Sequence, residues 1–267
     1  MAGEIEDPAV EEQVLYEEDG PVAFVTFNRE DKLNAMNSAV QHRLIELFDR
    51  IDRSDGVRVA VLTGRGRAFV AGADIGEYAG QSPAEFSEYQ SRGRRMYEGI
   101  ERNRKPFIAA VNGYALGGGF EIVLACDLVV ASREAEMGLP EVHLGLLPGG
   151  GGTQRLARIV GRNLAKEFLM TGRNMTAEEG HRLGVVNRVV EGETLLDEAL
   201  ELARKLARRA PFAVREAKQL VNQGVEAPVD LALSYEQATL SNLYQTADAS
   251  EGIRAFVEKR RPDFRGE

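Results

Sequence analysis

Two glutamates stand beside glycine-rich segments in the middle of the chain. Glu121 directly follows Gly117-Gly118-Gly119-Phe120, and Glu141 precedes a second glycine-rich run, residues 145–152. Two carboxyl groups that share a confined pocket can do general acid–base chemistry, because both cannot ionise easily and one pKa is raised. Taken singly, Glu121 can equally be a charge that compensates a helix dipole, and Glu141 a solvated surface charge.

The triple glycine of residues 117–119 ends a loop where an apolar helical pattern begins. The first N–H groups of a helix have no intrahelical acceptor, and glycine lets the backbone come close to a ligand. Such N–H groups favour an oxygen that becomes negative during a reaction. The small residues of a second loop, 71–73, allow the same approach. Either loop alone can also be a plain tight turn.

Several common catalytic and cofactor signatures are absent from the sequence. There is no P-loop pattern, no Gly-x-Gly-x-x-Gly after a predicted strand, and no serine in a Gly-x-Ser-x-Gly context. The histidines (His42, His143 and His181) and the single cysteine, Cys126, lack the spacing of a metal site. We therefore expect no metal and no bound cofactor, and a chemistry that rests on carboxylates and backbone amides.

Composition limits the class of protein. The chain has 267 residues, of which 43% are hydrophobic, enough for one large domain with a sizeable core. A net charge of −9 argues against nucleic-acid binding, which needs a basic face. No apolar stretch is long enough for a membrane span, and the N-terminus lacks a signal-peptide pattern. We expect a cytoplasmic protein without a disulfide; an organelle matrix stays open if a presequence was removed.

The elements that must position these residues alternate between strand and helix, which indicates an α/β domain. Asp19-Gly20 predicts a hairpin, and Asn37 predicts the start of an amphipathic helix. Buried strands are predicted at residues 57–62, 107–111 and 128–131. Helices are predicted at residues 83–103, 120–126, 154–160, 164–169, 177–183, 194–209, 211–222, 229–246 and 250–259, with a strand at 185–190.

Three regions follow from this pattern. Residues 1–12 are polar and predict a flexible arm, residues 13–200 a core that carries the site, and residues 201–267 a helical region. Asp248 stands three residues before Glu251 and predicts the N-cap of the last helix.

Several segments together resemble the enoyl-CoA hydratase (crotonase) family, in order and at the family's spacing. They cover nearly the whole chain after the first dozen residues. They are residues 28–37, 71–74 (Ala-Gly-Ala-Asp), 110–119 (Ala-Val-Asn-Gly-Tyr-Ala-Leu-Gly-Gly-Gly), 138–141 (Gly-Leu-Pro-Glu), 148–156 (Pro-Gly-Gly-Gly-Gly-Thr-Gln-Arg-Leu) and 256–260.

The resemblance implies a crotonase-like spiral of ββα turns with a helical C-terminal trimerisation region, and hence a homotrimer or homohexamer. It implies an acyl-CoA thioester as substrate, so that coenzyme A belongs to the substrate. It implies oxyanion donors at the N–H groups of Ala73 and Gly118. Glu121 and Glu141 match the family's two acids, with Glu141 expected as the main acid/base and Glu121 as the group that fixes the water.

The resemblance also implies contacts with the acyl-CoA. These are expected at Lys32, Ala35, Ala71, Ala73, Asp74, Ile75, Gly117 and Gly118. Lys32, Arg65 and Arg67 can meet phosphates or be simple solubilising charges. The chain departs from the family at Gly76, where a lysine is common in hydratases, so phosphate contacts there must come from elsewhere or be weaker.

Three functions compete. The first is hydration of a 2-enoyl-CoA. The second is a sibling reaction on the same scaffold: double-bond isomerisation, dehydration of a specialised acyl-CoA, or carbon–carbon cleavage. The third is a non-catalytic acyl-CoA-binding or assembly protein, against which both glutamates and both glycine loops count.

Overall fold

The computed structural model describes residues 10–267, the side chain of Tyr78 excepted. Ten strands and twelve helices occur in this part of the chain. The strands are β1 (Val14–Asp19), β2 (Val22–Phe27), β3 (Val59–Gly64), β4 (Ala68–Val70), β5 (Phe107–Val111), β6 (Tyr114–Leu116), β7 (Leu128–Ser132), β8 (Glu136–Gly138), β9 (Met175–Thr176) and β10 (Arg188–Val190). The helices are α1 (Val10–Gln13), α2 (Ser38–Arg53), α3 (Ile75–Tyr78), α4 (Pro83–Glu101), α5 (Gly118–Ala125), α6 (Gly152–Val160), α7 (Arg162–Thr171), α8 (Ala177–Arg182), α9 (Leu195–Ala207), α10 (Pro211–Gly224), α11 (Val229–Leu243) and α12 (Ala247–Val257).

Six strands form the larger sheet, in the order β1-β2-β3-β5-β7-β10. The predicted hairpin is confirmed, since β1 and β2 pair antiparallel with Asp19 opposite Val22. The other neighbours pair parallel, and β3 and β5 are buried nearly throughout, as their continuous apolar runs predict.

A smaller sheet lies beside the larger one, and its strands follow one another in the same order. It has the order β4-β6-β8-β9, with β4, β6 and β8 parallel to one another. Each of these short strands directly follows a strand of the larger sheet. The connection from β5 to β6 needs Gly113, because a Cβ there would lie 2.1 Å from the carbonyl oxygen of Arg67. The successive pairs of strands and the helices after them confirm the predicted crotonase-like spiral.

Helices cover both faces of the larger sheet. The predicted N-cap of α2 is confirmed, because the Asn37 side chain accepts a hydrogen bond from the N–H of Val40 at 2.8 Å. On the opposite face α9 presents Ala199, Ala203 and Ala207, whose spacing of four residues forms a stripe of small side chains against the sheet.

A buried lysine attaches the C-terminal helices to this core. Lys218 of α10 pairs with Asp127 at 2.9 Å and donates to the carbonyl oxygens of Ile100 and Lys105 at 2.8 and 3.0 Å. Its side chain is only 4% exposed. Helix α11, by contrast, buries none of its residues.

The predicted cap of the last helix is wrong. Thr246 caps α12 by accepting a hydrogen bond from the N–H of Ala249 at 3.1 Å. The Asp248 carboxylate instead accepts from the N–H groups of Arg265 and Gly266, at 2.8 and 2.9 Å. Asp248 therefore holds the C-terminal segment against the first turn of α12.

The predicted regions meet the structure as follows. Residues 10–12 belong to α1, and residues 1–9 of the predicted arm lie outside the described residues. The boundary between residues 200 and 201 falls inside α9, which packs on the larger sheet. No helix within residues 10–267 combines the length and apolar character needed to cross a bilayer.

Candidate active site

Three strand ends bring the predicted site residues together. In the smaller sheet Val70 of β4 lies beside Ala115 of β6, and Leu116 lies beside Gly138 of β8. Because these strands are parallel, the loops that follow them leave from the same edge of the sheet. Those loops carry Ala73, Gly118 and Glu141.

Two backbone N–H groups are free at this edge. Gly117 takes a φ of +51° and donates its own N–H to the carbonyl oxygen of Gly138 at 2.8 Å. The next N–H, that of Gly118, opens helix α5. Among the described residues, neither Gly118 nor Ala73 donates its N–H to a protein acceptor.

The two loops also touch each other and are braced from outside. A Cβ on Gly117 would lie 3.6 Å from the Cα of Gly72, so the loops pack without room for side chains. Met36 holds the Ala73 loop on both sides of Ala73. Its N–H donates to the carbonyl oxygen of Gly72, and its own carbonyl oxygen accepts from the N–H of Asp74. The pair of free N–H groups is therefore rigidly held before any ligand binds.

Glu121 is held in place by the glycine-rich run that follows Glu141. Its side chain is 3% exposed, and Oε1 accepts from the N–H groups of Gly150 and Gly152 at 2.7 and 2.8 Å. Burial raises the pKa of Glu121, while these two N–H groups and the charge of Arg155 oppose the rise. Oε1 of Glu121 is thus fixed by two main-chain donors.

Glu141 is poised differently. It lies in a 3-10 helix, Pro140–Leu144, and its Oε2 is buried without a hydrogen-bond partner among the described residues. Burial, with a smaller contribution from the nearby charge of Glu121, raises the pKa of Glu141 to about 7. A carboxyl group with this pKa can both accept and donate a proton at neutral pH.

Arg155 supports Glu121 from behind. Its guanidinium donates to both carboxylate oxygens of Glu101, at 2.6 and 2.7 Å, and to the carbonyl oxygen of Gly150. The Tyr97 hydroxyl lies 3.3 Å from the carbonyl oxygen of Gly118 and also within hydrogen-bond reach of Glu121, so its single proton can be donated to either acceptor. This network links the fixed carboxylate to the backbone that carries the free N–H.

Both glutamates and the residues with the two free N–H groups line one cavity of about 590 Å³, a volume typical of small-molecule sites. Of the predicted contacts, Ala71, Ala73, Ile75, Gly117 and Gly118 line it, as do both glutamates. The remaining lining residues are Met36, Gln41, Gly72, Phe86, Tyr89, Gln90, Gly93, Tyr97, Leu116, Pro140, His143, Leu144, Leu146, Leu147, Gly149 and Gly150.

Three predicted contacts lie outside the residues that line this cavity. Lys32 is exposed on a short 3-10 helix. Ala35 and Asp74 are joined by Arg29, which donates to the Ala35 carbonyl oxygen at 2.5 Å and pairs with the Asp74 carboxylate at 3.2 Å. The contact of Lys32, Ala35 and Asp74 with coenzyme A stays a prediction. The buried Arg29, which holds Ala35 and Asp74 together, was not predicted from the sequence.

Further lining residues come from α4, and of these Gln90 and Gly93 were missed. Helix α4 contributes Phe86, Gln90, Gly93 and Tyr97, whose spacing of three and four residues could have identified a face turned to the site. His143 lines the cavity, and its Nε2 lies 3.1 Å from the carbonyl oxygen of Thr171. No group of three His, Cys, Asp or Glu residues able to hold a metal ion occurs within residues 10–267.

Comparison with known proteins identifies the family. The family model described as enoyl-CoA hydratase/isomerase matches residues 17–267. The chain belongs to this family. A short-chain-enoyl-CoA hydratase of Clostridium acetobutylicum is 42% identical over 249 residues, 93% of this chain and 95% of that protein. A 2,3-dehydroadipyl-CoA hydratase of Escherichia coli is 40% identical over 92% of this chain and 95% of its own length.

Solved structures of the family have the same fold. A crystal structure of an enoyl-CoA hydratase from Bacillus anthracis superposes with a TM-score of 0.93 at 38% identity, covering 96% of this chain and all of the other. The resemblance expected from the sequence motifs is therefore confirmed along nearly the whole chain.

Proposed function

We propose that this protein is a hydro-lyase that adds water reversibly across the 2,3 double bond of a 2-enoyl-CoA. The observation that carries the proposal is one cavity with two carboxyl groups, those of the buried Glu121 and the half-buried Glu141, and two free N–H groups, those of Ala73 and Gly118. Relatives named as hydratases, for short-chain enoyl-CoA and for 2,3-dehydroadipyl-CoA, support the reaction class. Coenzyme A enters as part of the substrate, and no other cofactor is needed.

The two free N–H groups act on the thioester. Its carbonyl oxygen accepts hydrogen bonds from Ala73 and Gly118, which draw electron density away from C3 and make it electrophilic. When water adds, the oxygen gains negative charge, and the same donors stabilise the enolate. Each donor of this kind contributes roughly 2.7–4 kcal/mol to transition-state stabilisation.

The two carboxyl groups act on the water. Glu121, with one oxygen fixed by Gly150 and Gly152, orients the water with the other. As the water oxygen bonds to C3, the ionised Glu141 takes a proton from it. The enolate then collapses and C2 receives a proton from the protonated Glu141, which returns the carboxylate to its starting state.

Hydration of crotonyl-CoA, followed by the loss of enoyl-thioester absorbance, tests this proposal. Glu121→Gln and Glu141→Gln both keep the size of the side chain. Glu141→Gln cannot exchange the proton, and Glu121→Gln loses the carboxylate that orients the water, so turnover should fall by about 10² or more in each variant. Glu201→Gln, an exposed glutamate on α9, is the matched control and should keep full turnover. Near-normal turnover in both site variants would refute the assignment.

Isotope labelling separates hydration from the sibling reactions. In water enriched in ¹⁸O, a hydratase places one heavy oxygen on C3 of the acyl chain. An isomerase leaves the mass unchanged, and a carbon–carbon hydrolase releases a shorter acyl-CoA. Mass spectrometry of the product therefore decides which reaction the site performs.

The assembly and the compartment are parts of the same proposal. Helices α11 and α12 expose large apolar side chains, among them Leu231, Leu240 and Phe256, which support packing against further copies in a homotrimer or homohexamer. Light scattering measures this directly, and a monomer mass would contradict it. A cytoplasmic location, with an acyl-CoA as the only partner besides further copies, completes the proposal.

A further inference from the structure

A buried arginine lies behind the wall of the cavity, away from both glutamates. Arg92 of α4 is 8% exposed, its Nε donates to Gln41 Oε1 at 3.0 Å, and its Nη2 donates to Ser38 Oγ at 2.6 Å. Among the residues that the structure describes, it forms no ion pair. The nearby Glu77 carboxylate accepts instead from the N–H of Ser38. A buried cation without a counter-ion is costly unless something else compensates it.

The arginine determines how Gln41 faces the cavity. A guanidinium has only donors, so Gln41 must present its amide oxygen to Arg92 and its NH₂ group elsewhere. Gln41 is 2% exposed and lines the cavity, and its Nε2 would lie 3.3 Å from a Cβ on Gly93. Within the described part of the chain this NH₂ group donates to no protein acceptor. The acyl cavity therefore contains a fixed, unused donor.

The position of the Gln41 donor along α4 can be compared with that of the free N–H of Gly118. Tyr97, which hydrogen-bonds the carbonyl oxygen of Gly118, is four residues after Gly93 on α4. At 1.5 Å per residue, the Gly93 level is about 6 Å farther along the helix. An acyl chain that ran along α4 from Tyr97 toward Gly93 would reach this level a few carbons beyond its double bond.

We propose that the preferred acyl chain ends in a carboxylate, which Gln41 binds directly and whose charge Arg92 compensates. The inference deepens the proposed function, because it names the substrate class of the same site. A methyl-ended chain would leave the Gln41 donor unpaired and the Arg92 charge unneutralised. Sites that hydrogen-bond one substrate group discriminate strongly against analogues that lack it.

The test compares two six-carbon 2-enoyl-CoA substrates, one ending in a carboxylate and one in a methyl group. We expect the wild-type kcat/KM to favour the carboxylate by about tenfold or more, the lower end for a hydrogen bond to a charged group. Gln41→Glu keeps the acceptor for Arg92 but places a negative charge at the donor position, so the methyl-ended substrate should become the better one. Arg92→Met should reduce the ratio to about one.

A structural control is available on the same pair of helices. Asn103 is buried just after α4 and donates to the carbonyl oxygen of Phe48 in α2, at 3.0 Å, away from the cavity. Asn103→Leu removes a buried hydrogen bond between the same two helices. It should change kcat/KM equally for both substrates and so leave their ratio unchanged. A wild-type ratio near one or below, or a ratio that survives both Gln41→Glu and Arg92→Met, overturns the inference.

Failure of this inference is separable from failure of the proposed function. If crotonyl-CoA is hydrated but the two six-carbon substrates react alike, only the carboxylate preference is wrong. If no substrate is hydrated, calorimetric titration with saturated six-carbon acyl-CoA analogues, methyl-ended and carboxylate-ended, still measures the preference. Tighter binding of the carboxylate-ended analogue that is lost in Gln41→Glu supports it, and equal binding refutes it.

Discussion

Gly150→Ala adds a single methyl group beside Glu121. The new Cβ would lie 2.1 Å from Cε2 of Tyr97 and 2.6 Å from Oε2 of Glu121. Gly150 is not among the glycines with positive φ, so the backbone itself tolerates alanine and the obstacle is steric. Tyr97 is 5% exposed and cannot swing into solvent. Residues 149–151, which precede α6, must therefore move away from Glu121.

The size of the effect follows from what that movement breaks. Overpacking of a filled site costs roughly 1–3 kcal/mol of stability. The N–H of Gly150 donates to Glu121 at 2.7 Å, and loss of one hydrogen bond to a charged group costs roughly 1.5–3 kcal/mol. If that loss falls on the transition state, kcat decreases about 10- to 100-fold. Removal of this donor also raises the pKa of Glu121.

The assay is hydration of crotonyl-CoA across a range of pH, with the free energy of unfolding measured in urea. Gly56→Ala is the matched control, because the nearest atom to its new Cβ, Ser54 Oγ, is 3.9 Å away. We expect this control to leave kcat unchanged. A Gly150→Ala variant with wild-type kcat and an unchanged pH profile would refute the role of the Gly150 N–H in holding Glu121.

Two further predictions concern titration and stability. Burial raises the pKa of Glu141 to about 7 from 4.5, so its contribution to stability is complete below about pH 4.5 and is lost as pH rises through 7. Urea unfolding should therefore show Glu141→Gln gaining stability relative to wild type from pH 5 to pH 8; a constant difference would contradict the raised pKa. Lys218→Met leaves Asp127 buried without its cation and should cost about 3–5 kcal/mol, whereas Lys218→Met combined with Asp127→Asn should cost less. Equal losses in the single and double variants would show that the ion pair is not the cause.

Long periodic segments could be predicted from the sequence. The heptad-like spacing of Val40, Leu44, Leu47 and Ile51 predicted α2, and Asn37 predicted its start. Strand β5 was predicted with its observed bounds, because Pro106 and Asn112 delimit five consecutive apolar residues. In these segments local preference and tertiary packing agree.

The three-residue strands could not be predicted. Strands β4, β6 and β8 are too short for a period-two pattern, and they exist because each lies beside its neighbour in the smaller sheet. The Asp248 cap failed for a similar reason, since its carboxylate is engaged by Arg265 and Gly266, residues that a local pattern does not include.

The catalytic groups of the site were predicted from the sequence, but the residues that pack around them were not. The sequence indicated both glutamates and both glycine loops through the family resemblance, and the structure brings them to one cavity. Gln41 and Arg92 were missed because their meaning depends on α2 lying against α4. A glutamine on an amphipathic helix carries no sign that a distant arginine will fix its orientation.

Half of the proposed catalytic groups belong to the main chain. Ala73 and Gly118 contribute N–H groups that every residue except proline also has. An alanine scan of the cavity would leave Ala73 untouched and would report Gly118 only as a packing defect, since a Cβ there meets Met36 Cε at 2.6 Å. Such a scan would attribute the activity to the carboxylates alone. Replacing the peptide nitrogen by an ester oxygen, through chemical ligation or an incorporated α-hydroxy acid, removes one N–H donor at a time. That experiment measures the contribution of each donor to the activity.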